Sequence, residues 1–478
     1  MKRPLVVLTA LVFFPGMLLM GGIGVFAQEI TLDQYLERVQ ENHPYFTKED
    51  LNIDIEKKGA ESLLGAEDWQ LTIAPSYNFF GEASAPEYGG QERAHRLGVD
   101  AKIERSLWST GGRLGFTATS SYLNTDPLMG PSERFKHGFG MSYTHPFLQN
   151  KRGVLDRLEY ELSDFAVELQ KVQSIENKEA FLLDAAVRYL DWVYYSEVVS
   201  IAKQRLVLAE EQLKQTDRKY KANLVDKVDL LRAEDAIRIS KQTILQLEAQ
   251  WMAKQAELAV ISGTDDIYGL APSYDLYALE PLPQKTEAVG RMREQSRLLR
   301  VFTVTRDQLL GRRRGFVEMR KPQLNVTVGG GFYGADEKFG DSLAIYNPDA
   351  SVALVFSKTL DNRTMNATIE QLDLQVRQLD EEMRSVELDL ESSMVSLLIR
   401  IVELEKVLAL NRAQIESAEE KTEEELKLYN RGRSQLTFVI QSRDNEQNAR
   451  LSLAENAALY HGLILQYRAL LDELLKTD

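Results

Sequence analysis

The sequence contains no cysteine. That excludes disulfide staples, thiolate metal sites, cysteine nucleophiles and attachment of a lipid through a cysteine behind a leader. Histidine is scarce. The five residues His43, His95, His137, His145 and His461 form no H-E-x-x-H segment and no i,i+4 pair, so no zinc site or other cofactor site is indicated. Positive charge is in the minority, with 57 Lys and Arg against 72 Asp and Glu, and a net charge of −15 argues against a sequence-independent nucleic-acid binder. Beyond Ala27 there is no apolar run of 18 or more residues, so the mature chain has no transmembrane helix and would cross a membrane only as a β-barrel. Nucleophile elbows and Walker A segments are missing, and carboxylate clusters such as Glu423-Glu424-Glu425 lie in helical stretches of mixed charge. "GGGFYG" (329–334) matches G-x-G-x-x-G in letters only, because more strand rather than a helix follows, and its glycines read as strand residues. No enzyme site is expected.

The first 27 residues have the build of a secretory signal peptide. Met1-Lys2-Arg3 is a basic start, residues 4–26 are apolar and nearly uncharged, and Val25-Phe26-Ala27 places small residues before a cleavage point near Ala27-Gln28. The competing reading is an uncleaved membrane anchor.

Residues 32–66 then read as helix, with Thr31 and Gln34 spaced for a capping box. In "QLTIAPSYNFF" the period changes to two: Leu71, Ile73, Pro75, Tyr77 and Phe79 share one face, and the other is small and polar. Residues 97–103, 114–123 and 139–147 behave alike. Residues 109–112 form a short turn, whereas 81–92 and 124–136 read as long polar loops. Short turns at one end and long loops at the other are the plan of a transmembrane barrel. A soluble β-domain is the alternative at this point.

Helical periodicity follows over residues 153–221, roughly 100 Å at about 1.5 Å per residue. After an interruption it resumes over 227–261, and residues 264–283 form a Gly-, Pro- and Tyr-rich connection. Then the pattern recurs: helix over 285–318, alternating strands over 324–332 and 350–356, helix over 364–428, an interruption, and helix from 435 to about 476. The two interruptions, "RKYKANLVDKVDLL" and "KLYNRGRSQLTFVI", lie 209 residues apart (429 minus 220, the two tyrosines), and Asp235 falls on Asp444 in the same register. Period-specific matching of this kind indicates duplication, with repeats over 28–263 and 284–478. In each half, two shorter helices end to end match one long helix with heptad-like apolar spacing, so each interruption marks the distal tip of a hairpin about 100 Å from the strands.

With "ITLDQYLERVQENHP" at the start of the mature chain, "MSYTHPF" (141–147) and "LVFSKTLDNR" (354–363) where strand passes into helix, "VISG" (260–263) and the paired tips, the chain resembles the TolC family of outer-membrane efflux proteins over essentially its whole mature length. The resemblance implies a mainly helical fold with a transmembrane β-barrel. Three copies would share the barrel in the outer membrane, with long helical hairpins forming a periplasmic tunnel. It further implies a passive duct of a tripartite efflux or type I secretion system, contacting outer-membrane lipid and meeting a periplasmic adaptor and an inner-membrane pump at the tips.

On this resemblance, Asn223, Leu224, Val225, Gly432, Arg433 and Ser434 would touch the adaptor. Tyr220, Asp226, Asp229, Tyr429, Phe438 and Gln441 would form the periplasmic gate. His145, Pro146, Asp361 and Asn362 would mark the strand–helix transitions. Asn223 occupies a position where the second tip has Gly432, and Asn tolerates a left-handed backbone. The positions that carry an acidic ring in relatives hold Phe438 and Gln441, leaving Asp226 and Asp229 to supply negative charge. "GRRRG" (311–315), with Arg320-Lys321, would meet lipid phosphates or form a solvated or salt-linked face. One departure concerns the strands: four segments occur in the first half and two in the second, where the family has two and two, so the hairpin over 97–123 either widens the barrel or lies outside the membrane. The alternatives to a duct are an envelope-spanning scaffold or adhesin that does not conduct, and a soluble coiled-coil interaction protein.

Overall fold

The computed structural model describes residues 28–81, 93–126 and 132–475; the expected signal peptide and the parts of the two expected polar loops over 82–92 and 127–131 lie outside the described residues. The chain opens with β1 (Gln28–Ile30), after which Thr31 caps α1 (Leu32–Asn42). The Thr31 hydroxyl accepts from the Gln34 N–H at 3.3 Å and the Gln34 carboxamide from the Thr31 N–H at 3.1 Å, which is the expected capping box. The single helix expected over 32–66 is broken at His43 (φ −78°, ψ 127°), because the ring of Pro44 excludes helical backbone from the residue before it. Then α2 (Pro44–Ser62) starts afresh with the His43 Nδ1 accepting from the Tyr45 N–H, and a 3-10 turn (Leu63–Glu67) follows.

Next come β2 (Gln70–Gly81), β3 (Arg93–Leu107), β4 (Gly112–Asp126) and β5 (Ser132–Pro146), then α3 (Leu158–Lys221) and α4 (Lys227–Ser262). The connection carries β6 (Leu270–Pro272), which pairs in parallel with β1 and ties the connection back to the start of the first repeat. The second half comprises α5 (Lys285–Gln295), α6 (Arg297–Met319), β7 (Gln323–Asp336), α7 (Phe339–Ser342), β8 (Asn347–Ser357), α8 (Arg363–Asn430) and α9 (Leu436–Leu470). Here too an expected helix, 285–318, is divided, at the non-helical Ser296 (φ −57°, ψ 113°), whose hydroxyl caps α6 at Leu299. The long helices α3 and α8 have 64 and 68 residues, against 36 and 35 for the returning α4 and α9. No helix among the described residues is long and apolar enough to cross a membrane.

The six long strands form one antiparallel sheet in the order β2-β3-β4-β5-β7-β8. Its ladder runs further than the apolar alternation: Asn124 pairs with Glu133 inside the stretch expected as loop, because backbone pairing needs no apolar side chains at a sheet's rim. The register makes the sheet two-faced. Leu71, Ile103, Phe116, Met141, Gly330 and Ala350 line up across one row, and Thr72, Lys102, Thr117, Gly140, Gly331 and Asp349 across the row beside it on the opposite face. The apolar face is exposed from Leu71 to Leu354, whereas a soluble sheet would bury it.

The main core lies among the helices, around Tyr35, Tyr189, Trp192, Met394, Ile401 and Tyr460. The Tyr189 hydroxyl donates to the Ile30 carbonyl at 2.7 Å, fixing β1 to α3. His461, on α9, is 2% exposed; its Nε2 donates to the Leu276 carbonyl at 3.1 Å, so Nδ1 accepts from the Tyr274 hydroxyl at 2.8 Å. Burial holds its pKa below the usual 6.5. The unfolded chain therefore takes up this proton first on acidification, and the contribution of neutral His461 to stability is lost as pH falls from about 6.5 through the depressed value. His461→Phe should flatten the pH dependence of the melting temperature between about pH 7 and 5, which differential scanning calorimetry would read.

Candidate gate at the helical tips

At the far ends of α3 and α8 the two repeats build the same turn residue for residue. In the first, Asn223 is left-handed (φ 55°), its N–H donates to the Tyr220 carbonyl and the Leu224 N–H to the Lys219 carbonyl. In the second, Gly432 is left-handed (φ 71°), its N–H donates to the Tyr429 carbonyl and the Arg433 N–H to the Leu428 carbonyl. This double closure satisfies the last orphan carbonyls of each long helix. Every donor and acceptor is offset by 209 (428 minus 219, 432 minus 223), and the next helices begin at the same offset behind Asp226 and Gln435. Val225 and Ser434 close the turns, with the Ser434 hydroxyl 2.9 Å from a Glu425 carboxylate oxygen.

The side chains do not follow the repeat. Tyr429 is 4% exposed in a small cluster with Ala233, Leu436 and Val439, whereas its counterpart Tyr220 is 36% exposed. The difference comes from Lys219, whose ammonium lies 3.6 Å from the Tyr429 ring centroid and donates to the Tyr429 carbonyl at 3.1 Å and the Asn430 Oδ1 at 3.2 Å. Burial lowers its pKa below the lysine range. The Thr216 and Tyr429 hydroxyls meet at 3.5 Å, and further up Arg205 holds Asp444 at 2.7 Å while Arg443 donates to the Leu208 carbonyl. These contacts join the first hairpin to the second. Sequence reading passed over Lys219, Thr216, Arg205 and Arg443; the repeat register carried a signal, since Lys219 falls on Leu428 and Thr216 on Glu425.

Of the residues expected at the gate, Asp226, Phe438 and Gln441 are exposed, and Asp229 is paired with Arg232 at 3.2 Å. Leu224 is 73% and Phe438 50% exposed, leaving apolar side chains bare at the tip. The strand–helix transitions lie at the other end of the long helices. His145 sits 3.2 Å from the Tyr143 hydroxyl with its ring edge-on to Phe147, and Pro146 is buried opposite Asn325. Asp361 and Asn362 are both left-handed, and Asn362 reaches back to the Arg320 carbonyl at 3.3 Å. "GRRRG" is a packing motif here. Gly311 and Gly315 face Leu162 and Leu158 of α3, whose terminal methyls an added Cβ would have to displace, while Arg313 pairs with Asp373 of α8 at 2.6 Å. Arg312 and Arg314 remain exposed, as do Arg320 and Lys321.

Among the described residues one trio of carboxylates, Glu176, Glu179 and Asp472, is close enough to share a cation. Arg297 already fills it, with its Nε 2.6 Å from Glu176.

No family model and no curated protein matches the chain. Solved structures do. The outer membrane protein VceC from Vibrio cholerae is similar at a TM-score of 0.65 and 10% identity, over 92% of this chain and 96% of that one. The CmeC outer membrane channel of Campylobacter jejuni gives 0.64 and 11%, over 94% and 87%. The open state of the MtrE outer membrane channel of Neisseria gonorrhoeae gives 0.62 and 14%, over 93% and 89%. At these identities the likeness is one of fold, and it extends from the sheet to the tips.

Proposed function

We propose that this chain, which has the outer-membrane channel fold of the TolC type, is the outer-membrane duct of an efflux system and not an enzyme. Three copies would form a closed barrel, served by a periplasmic adaptor and an inner-membrane pump; type I secretion is the other assembly that such a duct suits. The observation that carries the reading is the two-faced sheet, apolar and exposed on one side and lined with Lys102, Thr117 and Asp349 on the other, at the end of the molecule remote from the helical tips. A lipid-facing wall with a wet lumen needs both faces.

The repeat supports association of several copies. Within the chain α3 lies against α9, and a shift of 209 converts that pair into α8 against α4, which belong together only across two copies. Those two helices keep large apolar residues bare, among them Ile239 and Leu245 on α4 and Leu388 and Leu410 on α8, all at least 63% exposed. Purified protein in planar bilayers should conduct once its tips are opened by substitution. A scaffold or adhesin would stay silent, and a soluble coiled-coil protein would remain outside the membrane fraction.

For the gate, Asp226 and Asp229 remain the proposed source of negative charge, with Asp226 dominant because Arg232 offsets Asp229. Asp226→Ala with Asp229→Ala should reduce the cation-to-anion permeability ratio, measured as reversal potential in a salt gradient. Most of the loss should already appear with Asp226→Ala, and an unchanged potential would remove the carboxylates from the gate.

A further inference from the structure

The shift of 209 residues that relates the two tips also relates two clefts, one between α8 and α9 and one between α3 and α4, and the chain treats them differently. The α8–α9 cleft is covered by a non-helical part of the connection between the repeats, "SYDLYALEP" (273–281). There Arg412 donates to the Tyr277 carbonyl at 2.9 Å, the Tyr460 hydroxyl accepts from the Glu280 N–H at 2.9 Å, and Arg468 holds the Glu280 carboxylate at 2.7 Å. His461 takes the Tyr274 hydroxyl and the Leu276 carbonyl. Much of this grip is on the main chain of the segment.

Subtracting 209 from 412, 460 and 461 gives Lys203, Trp251 and Met252, and these three line a cleft of about 680 Å³ together with Val199 and Val207. No described residue covers it. Met252 is 53% and Val207 55% exposed, whereas His461 lies buried under the connection. The Trp251 indole N–H has no hydrogen-bond partner among the described residues, at the register where the Tyr460 hydroxyl bonds to the connection. A buried donor is thereby left unsatisfied.

The cleft stays accessible when copies associate. In the second repeat α9 packs against both α3 and α8 and still receives the connection in its cleft with α8. The same shift sets α4 between α3 and the α8 of a second copy, which hems it in no more tightly. The cleft begins about 20 Å from the tip, 13 residues (220 minus 207) at about 1.5 Å each, so its occupant is distinct from whatever meets Leu224 and Arg433.

We infer that the α3–α4 cleft is a docking site for a non-helical segment of a partner polypeptide, laid across it as residues 273–281 lie across α8 and α9. The points where the two clefts differ define that segment. Met252 replaces His461, so an aromatic or aliphatic side chain belongs there, with the thioether against a ring. Ala259 replaces Arg468 (468 minus 209), so no carboxylate is called for. Lys203 keeps the role of Arg412: its ammonium pairs with Glu248 at 2.7 Å and has donors left for a main-chain carbonyl. The partner segment is thus a more apolar relative of the connection. The inference rests on the repeat and needs no conduction.

Titrating the purified full-length oligomer with fluorescein-labelled "SYDLYALEP" should give saturable binding, one peptide per chain, by fluorescence anisotropy, and the peptide carrying Glu280→Leu should bind more tightly. Lys203→Glu and Met252→Arg, both at exposed positions, should each weaken binding at least tenfold. Absence of saturable binding, weaker binding of the Glu280→Leu peptide, or affinity indifferent to both substitutions in the protein would overturn the inference. In the cysteine-free chain Met252→Cys supplies a single thiol, which a water-soluble maleimide should label and the peptide should protect. A thiol closed to the reagent before peptide is added would assign the cleft to a second copy of this chain and would also overturn the inference. An oligomer that binds the peptide but passes no current would count against the duct and leave the docking site standing.

Discussion

Lys219→Ala is expected to raise the resting conductance of the reconstituted channel by at least tenfold, while Leu428→Ala at the matching position of the other tip should change it little. The lysine is the one side chain at the tip that binds the second hairpin in three ways at once, through the Tyr429 ring, the Tyr429 carbonyl and Asn430. A hydrogen bond from a charged donor contributes about 1.5–3 kcal/mol and a partly desolvated cation–π contact about 0.5–2 kcal/mol. Desolvating the ammonium opposes them, as its lowered pKa shows. A net loss of about 2 kcal/mol still shifts the balance between joined and separated tips by more than tenfold. Lys219→Arg should retain the ring contact and most of the charge, and its conductance should stay near wild type. Equal conductance for all four proteins would show that the hairpins are held shut elsewhere, with Arg205–Asp444 the next pair to break.

The tips were legible in the sequence because their turn chemistry repeats: a left-handed Asn or Gly four residues past Lys219 or Leu428 is a local signal, and duplication doubles it. The strand set was legible for the same reason, since each strand carries its own alternation. What escaped notice depends on contacts between distant segments. Pro44 announces the break before α2, but the equivalent break at Ser296 has no proline and follows from its hydroxyl capping α6. The β1–β6 pair has only three rungs, too few for any periodicity. Lys219 sits in a run of charged residues, and its sequence neighbours give no sign that Tyr429 will lie under it. The arginines of "GRRRG" suit lipid phosphates and a solvated or salt-linked face equally in the sequence, and its two glycines give no sign of the leucines of α3 that pack on them.

Arg297→Met should cost about 3–5 kcal/mol of stability per chain at neutral pH, the penalty for leaving a buried carboxylate without its cation. The guanidinium pairs with Glu176 at 2.6 Å, with Glu179, and with Asp472 at 3.3 Å, and the Arg297 N–H donates to Asp472 at 2.7 Å. Glu179 also accepts from the Leu474 N–H at 2.8 Å, so a single cluster pins the end of the described chain to α3 and α6. The Glu179 side chain is only 5% exposed and the Asp472 side chain 14%, and burial raises the Asp472 pKa above the usual carboxylate value even with the arginine present. Without the arginine the folded-state pKa of Asp472 rises further above its unfolded value. The folded variant then binds more protons than the unfolded chain, and its stability increases as pH falls through that raised value. The deficit of Arg297→Met against wild type, measured by thermal denaturation, should therefore be largest near pH 7 and shrink on acidification. Glu179→Gln in the same chain should recover part of it at pH 7. A deficit that stays constant with pH and ignores Glu179→Gln would assign the loss to packing of the arginine's aliphatic stem instead of its charge.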